Sequence, residues 1–139
     1  GQYLDTNPGV MGELTREKLE EIHAKKTGAM LSAACRMGAA SAGATREQEE
    51  AAAEFGLKIG LAFQIRDDVL DMTSSAETLG KTPGADERDG KTTLASLLGI
   101  EKCEKWLSDL TESAKEELRI FEDSDFLCLL AERLAVREK

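Results

Sequence analysis

The chain has 139 residues, of which 32% are charged and 41% are hydrophobic, and its formal net charge is −9. This length and composition fit one globular domain with its own hydrophobic core. The acidic balance argues against a non-specific nucleic-acid binder, which needs a basic face. Three separated cysteines without a CxxC pair argue against a zinc or disulfide framework and predict reduced thiols in a cytoplasmic protein. No apolar run approaches the roughly 18 residues of a transmembrane helix.

The first segment, residues 1–14, predicts the end of a helix followed by a turn. Its breakers are Asn7-Pro8, Gly9 and Gly12. Because the chain opens at Gly1 in mid-pattern, without an initiator Met, we expect the sequence to begin partway through a larger protein.

Residues 15–72 predict two long helices. Thr15 is a good N-cap for the first, which spans about residues 16–42 with apolar positions every three to four residues. The second half of this helix is rich in Ala, Gly and Ser, which predicts a tightly packed interior helix that stops near Gly43.

The second long helix follows a capping box formed by Thr45 and Gln48 and runs to about Met72. Residues 73–90 are rich in glycine and charge and predict a loop of about 18 residues, a length that is usually functional or disordered. Residues 91–139 predict a short helix and two terminal helices. Because no alternating strand pattern occurs, the predicted fold class is all-α.

Three acidic side chains share one face of the second long helix. Asp67, Asp68 and Asp71 follow Gln64 by three, four and seven residues, which is the spacing of a single helix face. Their mutual repulsion, and the helix dipole at this C-terminal end, cost stability unless a cation balances them. A divalent cation such as Mg²⁺ with phosphate ligands would remove that cost. The alternative is a solvated charged face.

Three lysines are candidates for binding a polyanion. Lys26 precedes Thr27, whereas Lys81 and Lys91 each stand between Gly and Thr. Neither Gly-Lys-Thr segment is a Walker A loop, because the first glycine of that motif is missing at the required spacing. The acidic run before the second segment does not have the spacing of an EF-hand. The single histidine, His23, excludes a zinc site with two histidines; a lone histidine more often caps or packs.

The order and spacing of these residues resemble the trans-isoprenyl diphosphate synthases, and most closely the bacterial farnesyl diphosphate synthases (geranyltranstransferases). The resemblance covers nearly the whole chain, and its most specific part is the FQxxDDxxD segment with a downstream Gly-Lys. The matching segments are Gly1-Gln2-x-x-Asp5, His23-x-x-Lys26-Thr27-Gly28, Phe63-Gln64-x-x-Asp67-Asp68-x-x-Asp71, Leu79-Gly80-Lys81, Asp86 and Gly90-Lys91-Thr92.

This resemblance implies that residues 1–139 are the C-terminal part of a single polyprenyl synthetase domain, built as an isoprenoid synthase-type helical bundle. Its implied activity is that of a prenyltransferase, which joins an allylic diphosphate to isopentenyl diphosphate and releases diphosphate. The implied product is farnesyl or geranylgeranyl diphosphate. Mg²⁺, or Mn²⁺, is the implied cofactor. A cytoplasmic homodimer of the intact protein, with no nucleic acid and no transmembrane segment, is the implied assembly.

The resemblance also assigns roles to single residues. The implied metal ligands are Asp67, Asp68 and Asp71, which match the second aspartate-rich motif, with Asp67 as the main direct ligand. The implied diphosphate-binding residues are Lys26, Lys81, Lys91 and Gln64. The implied catalytic residues are Lys26, Thr27 and Gln64. Within this last set, Thr27 and Gln64 match groups whose oxygen dipoles face the developing carbocation.

The family's first aspartate-rich motif and its isopentenyl diphosphate site lie upstream of Gly1, so we expect the chain alone to be inactive. Two other hypotheses stay open. One is a non-catalytic regulatory or partner-binding subunit on the same scaffold. The other is a helical domain whose acid cluster is merely solvated.

Overall fold

Every regular element in the described part of the chain is helical, which agrees with the predicted all-α class. The computed structural model describes residues 1–7, 10, 12–78 and 92–137. Its elements are α1 (Gln2–Thr6), α2 (Arg16–His23), a π-helical turn (Ala24–Gly28), α3 (Ala29–Ser41), α4 (Arg46–Thr78), α5 (Leu94–Leu98), α6 (Ile100–Glu117), a 3₁₀ turn (Leu118–Ile120) and α7 (Asp125–Val136). Within these ranges, no helix is long and apolar enough to cross a bilayer.

The predicted capping box starts α4. The backbone N–H of Thr45 donates to Gln48 Oε1 at 2.9 Å, and the backbone N–H of Gln48 donates to Thr45 Oγ1 at 3.2 Å. The predicted end near Met72 is wrong, because α4 continues to Thr78. The stretch after Met72 has no Gly or Pro to stop a helix, and the Thr73 hydroxyl donates back to helix carbonyls. The predicted 73–90 loop is therefore helical as far as residue 78, and residues 79–91 lie outside the described part.

The first predicted long helix is interrupted by the π-helical turn Ala24–Gly28, which separates α2 from α3. Its start is as predicted, because the Thr15 side chain accepts the Lys18 backbone N–H. Its end is also as predicted, because Gly43, with φ 76°, lies in the left-handed region just after α3. A π-helical turn widens the backbone by one residue, and such turns are frequent at functional sites.

Helix α3 packs along one side against α4, and none of its residues is fully buried. A Cβ added at Gly56 of α4 would lie 2.5 Å from the Leu31 carbonyl oxygen, so the two backbones approach closely on that side. On the other side, Met30 and Met37 are 71% and 64% exposed. The prediction of an interior helix is therefore wrong for this chain. Small residues permit close approach, but they do not say how many faces a helix buries.

Helix α4 is the central element, with an apolar cluster at each end. The cluster around its first half comprises Phe55, Ile59, Ala114, Leu118 and Ala131. The cluster around its acidic end comprises Leu19, Ile22, Ala62, Ile65, Val69, Leu94, Ala95, Cys103 and Leu107. Each fully buried Ile, Leu or Val contributes about 1.5–3 kcal/mol. The acidic face is thus carried on a helix whose apolar sides are held by α2, α5 and α6.

A polar contact also ties α4 to α6. The Lys58 ammonium donates to Ser113 Oγ at 2.8 Å and to the Glu117 carboxylate at 2.6 Å.

We expect Lys58→Ala to lower the free energy of unfolding by about 1–3 kcal/mol, because the Glu117 charge loses its partner. Urea unfolding measures this. The control Arg46→Ala breaks an exposed ion pair with Glu50 inside α4 and should cost under about 0.5 kcal/mol. Equal losses would contradict the prediction.

Candidate functional site

Helix α4 places its four polar residues on one face, as their spacing predicts, but in different environments. Gln64 and Asp68 are buried, at 9% and 8% exposure. The Asp67 side chain is 39% exposed, and Asp71 is exposed. Gln64 Nε2 lies 3.4 Å from Asp67 Oδ2, so the amide is positioned to donate to that carboxylate. Asp67 and Asp71 are therefore the two acids of this face that are open to solvent.

The buried acid, Asp68, is compensated by two donors from other elements. Its Oδ2 accepts the Leu94 backbone N–H of α5 at 2.9 Å and lies 3.3 Å from His23 Nε2 of α2. The sequence predicts only capping or packing for His23, although His23 belongs to a segment that carries the family resemblance. His23 and Asp68 are 45 residues apart, and no spacing pattern links two residues that only a helix crossing brings together.

Asp67 has an intramolecular partner that the sequence did not predict. The Arg137 guanidinium contacts the Asp67 carboxylate and lies over the Phe63 ring, 4.0 Å from its centroid. The Arg66 Nε donates to the Arg137 carbonyl at 2.9 Å, which fixes the backbone that follows α7. A cation–π contact adds about 0.5–2 kcal/mol. The end of the described chain thus lies against the acidic face of α4.

Lys26 and Thr27 lie in the π-helical turn, beside α1. The Lys26 ammonium donates to Asp5 Oδ2 at 2.7 Å, and this Asp5 carboxylate is largely buried. A Cβ added at Gly1 would lie 2.2 Å from the Lys26 backbone nitrogen, so the start of α1 touches the turn directly. The structure therefore brings together the Gly1-Gln2-x-x-Asp5 and Lys26-Thr27 segments of the resemblance.

The π-helical turn crosses α4 in antiparallel register. A Cβ added at Gly60 would lie 2.5 Å from Gly28 Cα, so the two backbones touch at this point. His23 meets Asp68 further along the same crossing. Thr27 on the turn and Gln64 on α4 each lie between those two contacts. The structure thus packs the turn that carries Lys26 and Thr27 against the helix that carries Gln64 and the acidic face. Lys81 and Lys91 lie outside the described residues.

Two carboxylates of the acidic face, Asp67 and Asp71, are at least partly open to solvent. Among the described residues, no group of three or more His, Cys, Asp and Glu side chains is arranged to hold a metal ion. Mg²⁺ in proteins is usually bound through one or two carboxylates, with phosphates and water completing its shell. Asp67 and Asp71 can supply such carboxylates.

Cys103 packs beside this site and has no exposed surface. Burial raises the pKa of its thiol, and the Asp68 carboxylate raises it further. The folded chain therefore holds the thiol proton more tightly than the unfolded chain. This contribution to stability is complete below the ordinary thiol pKa of about 8.5 and is lost as pH rises through the raised value.

We expect Cys103→Ala to reduce the fall in unfolding free energy between pH 7.5 and 10. Urea unfolding with Cys128→Ala as control measures this; an unchanged fall would contradict it.

Three comparisons with known proteins bear on this site. A family model described as polyprenyl synthetase matches residues 1–123. The farnesyl diphosphate synthase of Escherichia coli (strain K12) is 44% identical over 104 residues, which are 74% of this chain and 35% of that protein. The heterodimeric geranylgeranyl pyrophosphate synthase large subunit 2 of Arabidopsis thaliana is 39% identical over 133 residues, which are 94% of this chain and 35% of that protein.

A solved structure, that of the geranyltransferase from Helicobacter pylori complexed with magnesium and isoprenyl diphosphate, matches with a TM-score of 0.63 and 28% identity. The match covers 97% of this chain and 43% of that one. The chain spans only 35% to 39% of the length of three curated relatives.

Proposed function

Because the chain belongs to the polyprenyl synthetase family, we propose that the intact protein is a trans-prenyltransferase that joins an allylic diphosphate to isopentenyl diphosphate. The observation that carries this proposal is the crossing of α4 by the π-helical turn. It packs the turn that carries Lys26 and Thr27 against the helix that carries Gln64 and the three carboxylates, which supports a shared site for these residues. This chain alone carries one side of the site, so we propose that it is inactive without the rest of the protein.

The acidic face is the proposed binding site for the leaving diphosphate. Asp67 is the proposed main direct ligand of Mg²⁺ or Mn²⁺, and Asp68 and Asp71 belong to the same face. A bound divalent cation would neutralise charge on the diphosphate. Lys26 would add a second positive charge, held in place by Asp5. From the resemblance alone, Lys81 and Lys91 are proposed to bind the diphosphate as well.

Thr27 and Gln64 have the proposed task of stabilising the allylic carbocation. Their side-chain oxygens are fixed dipoles that need no reorganisation when the positive charge develops. Gln64 suits this task because it is buried and its amide nitrogen lies near Asp67, which orients the amide. Its oxygen is then the end that faces away from that carboxylate.

The product is proposed to be farnesyl or geranylgeranyl diphosphate. Relatives that match this chain carry both names, and residues of this chain do not discriminate between them. A cytoplasmic homodimer is the proposed state of the intact protein. The alternative is a non-catalytic subunit that partners a catalytic chain, and one relative is named as a subunit of a heterodimer.

Product formation tests the proposal directly. The intact protein would be incubated with geranyl diphosphate and labelled isopentenyl diphosphate, with Mg²⁺ or with EDTA. We expect a prenyl diphosphate product with Mg²⁺ and none with EDTA. No product under either condition would contradict the proposal. If a product then appeared only with a second family member added, in excess of what that member makes alone, the subunit alternative would be supported.

A further inference from the structure

A buried histidine outside the proposed catalytic set contacts the acidic face. His23 is only 6% exposed, and its Nε2 lies 3.3 Å from Asp68 Oδ2. A carboxylate only accepts hydrogen bonds, so we assign the proton of this contact to Nε2. His23 Nδ1 is buried with no hydrogen-bond partner among the described residues. Leaving a nitrogen lone pair without a partner at Nδ1 costs less free energy than burying an N–H without an acceptor there. This agrees with the tautomer that carries its proton on Nε2.

The same carboxylate oxygen holds a second donor, from the start of α5. Leu94 is fully buried, and its backbone N–H donates to Asp68 Oδ2 at 2.9 Å. Thr93 caps α5 through the Ser96 backbone N–H, so the helix start is held on both sides of this contact. One buried oxygen therefore joins α4 to α2 and α5. Asp67, the preceding residue, is more exposed and has neither of these donors.

We propose that His23 is a positioning residue and that Asp68 is its anchor rather than a direct ligand of the cation. Their contact fixes the turn of α4 from which Asp67 and Asp71 project. His23 directly precedes the π-helical turn that carries Lys26 and Thr27. The contact thus sets the spacing between the acids and the lysine. This inference rests on the proposed function, because its binding test measures the Mg²⁺-dependent affinity for pyrophosphate.

Two adjacent aspartates are expected to respond differently to the same substitution. In the structure, both donors reach one oxygen of Asp68, and an amide oxygen can accept both. We therefore expect Asp68→Asn to keep the Mg²⁺-dependent affinity of the intact protein for inorganic pyrophosphate within about threefold. The matched variant Asp67→Asn is expected to lose about tenfold or more, because it removes the charge proposed to bind the cation. Calorimetry measures both; equal losses in the two variants would overturn the anchor role.

A second pair of variants tests His23 itself. We expect His23→Leu to weaken the Mg²⁺-dependent pyrophosphate affinity about tenfold, because the turn of α4 that carries the proposed ligand Asp67 loses one of its two outside contacts. His23→Gln retains an N–H at a similar reach and is expected to recover most of this loss. Circular dichroism checks that both variants fold. Unchanged affinity in a folded His23→Leu variant, or a folded His23→Gln variant as weak as His23→Leu, would overturn the proposal.

A spectroscopic readout separates this inference from the proposed function. In the metal-free intact protein, NMR should find His23 with its proton on Nε2 and a downfield Leu94 amide that persists in Asp68→Asn and moves upfield in Asp68→Ala. If the unaltered protein bound no pyrophosphate with Mg²⁺, the proposed function would fail and NMR alone would decide the contact. An unchanged chemical shift of the Leu94 amide proton in Asp68→Ala would overturn the proposed anchor role of Asp68.

Discussion

Asp67→Ala is expected to reduce prenyl transfer by the intact protein by about 10²–10³-fold. The variant removes the partly exposed carboxylate that we propose as the main direct ligand of the cation, so charge on the leaving diphosphate is no longer balanced. Turnover with saturating Mg²⁺ and both diphosphate substrates measures the effect.

The fold should survive this change. The Asp67–Arg137 ion pair is partly exposed, and such pairs contribute about 0–1 kcal/mol. Urea unfolding of Asp67→Ala is therefore expected to remain within that range of the unaltered protein. The control Asp109→Ala removes the same charge from an exposed position on α6 and should leave turnover unchanged. Normal turnover by a folded Asp67→Ala variant would remove the role that we propose for this residue.

Gly60→Ala is expected to be the most damaging single-atom change at the crossing. Its new Cβ would lie 2.5 Å from Gly28 Cα and 2.9 Å from the Gly28 nitrogen. These are backbone atoms, so relief requires α4 and the π-helical turn to move apart. We expect a loss of about 1–3 kcal/mol in the free energy of unfolding.

Moving the two backbones apart in Gly60→Ala should also lower turnover. Thr27 adjoins Gly28, and Gln64 lies one turn beyond Gly60 on α4, so separating the backbones moves these two side chains relative to each other. A misplacement of about 1 Å can cost about 10²-fold in rate, so turnover should fall more than stability alone explains. Steady-state turnover at a temperature where the variant is folded measures this.

The matched control is Gly38→Ala on α3. A Cβ there would meet nothing within 4 Å, and alanine favours a helix over glycine by about 0.5–1 kcal/mol. This variant should therefore be slightly more stable, with unchanged turnover. A Gly60→Ala variant that behaved like Gly38→Ala would show that the backbones do not meet at Gly28.

Local chemistry made much of this fold predictable. Thr45 and Gln48 form a reciprocal cap within one turn, so four residues of sequence carry the information. The acidic face of α4 is likewise a matter of spacing along one helix. The end of α4 was predicted too early because charge and small polar residues after Met72 resemble a loop, although nothing in 73–78 breaks a helix.

The rest of the site depends on contacts between distant parts of the chain. The π-helical turn leaves no mark on hydrophobic periodicity, because one extra residue in a turn falls within the tolerance of that pattern. His23 reaches Asp68 and Arg137 reaches Asp67 only through packing of separate helices. The sequence predicted which acids share a face. It did not predict which of them is buried with donors, and that difference now separates their proposed roles.

Calorimetric titration of the intact protein with inorganic pyrophosphate measures whether the acidic face of α4 binds a diphosphate through a divalent cation. We expect binding with Mg²⁺ present, and binding at least about tenfold weaker with EDTA or with Asp67→Ala. Pyrophosphate affinity that changed with neither Mg²⁺ nor Asp67→Ala would contradict it.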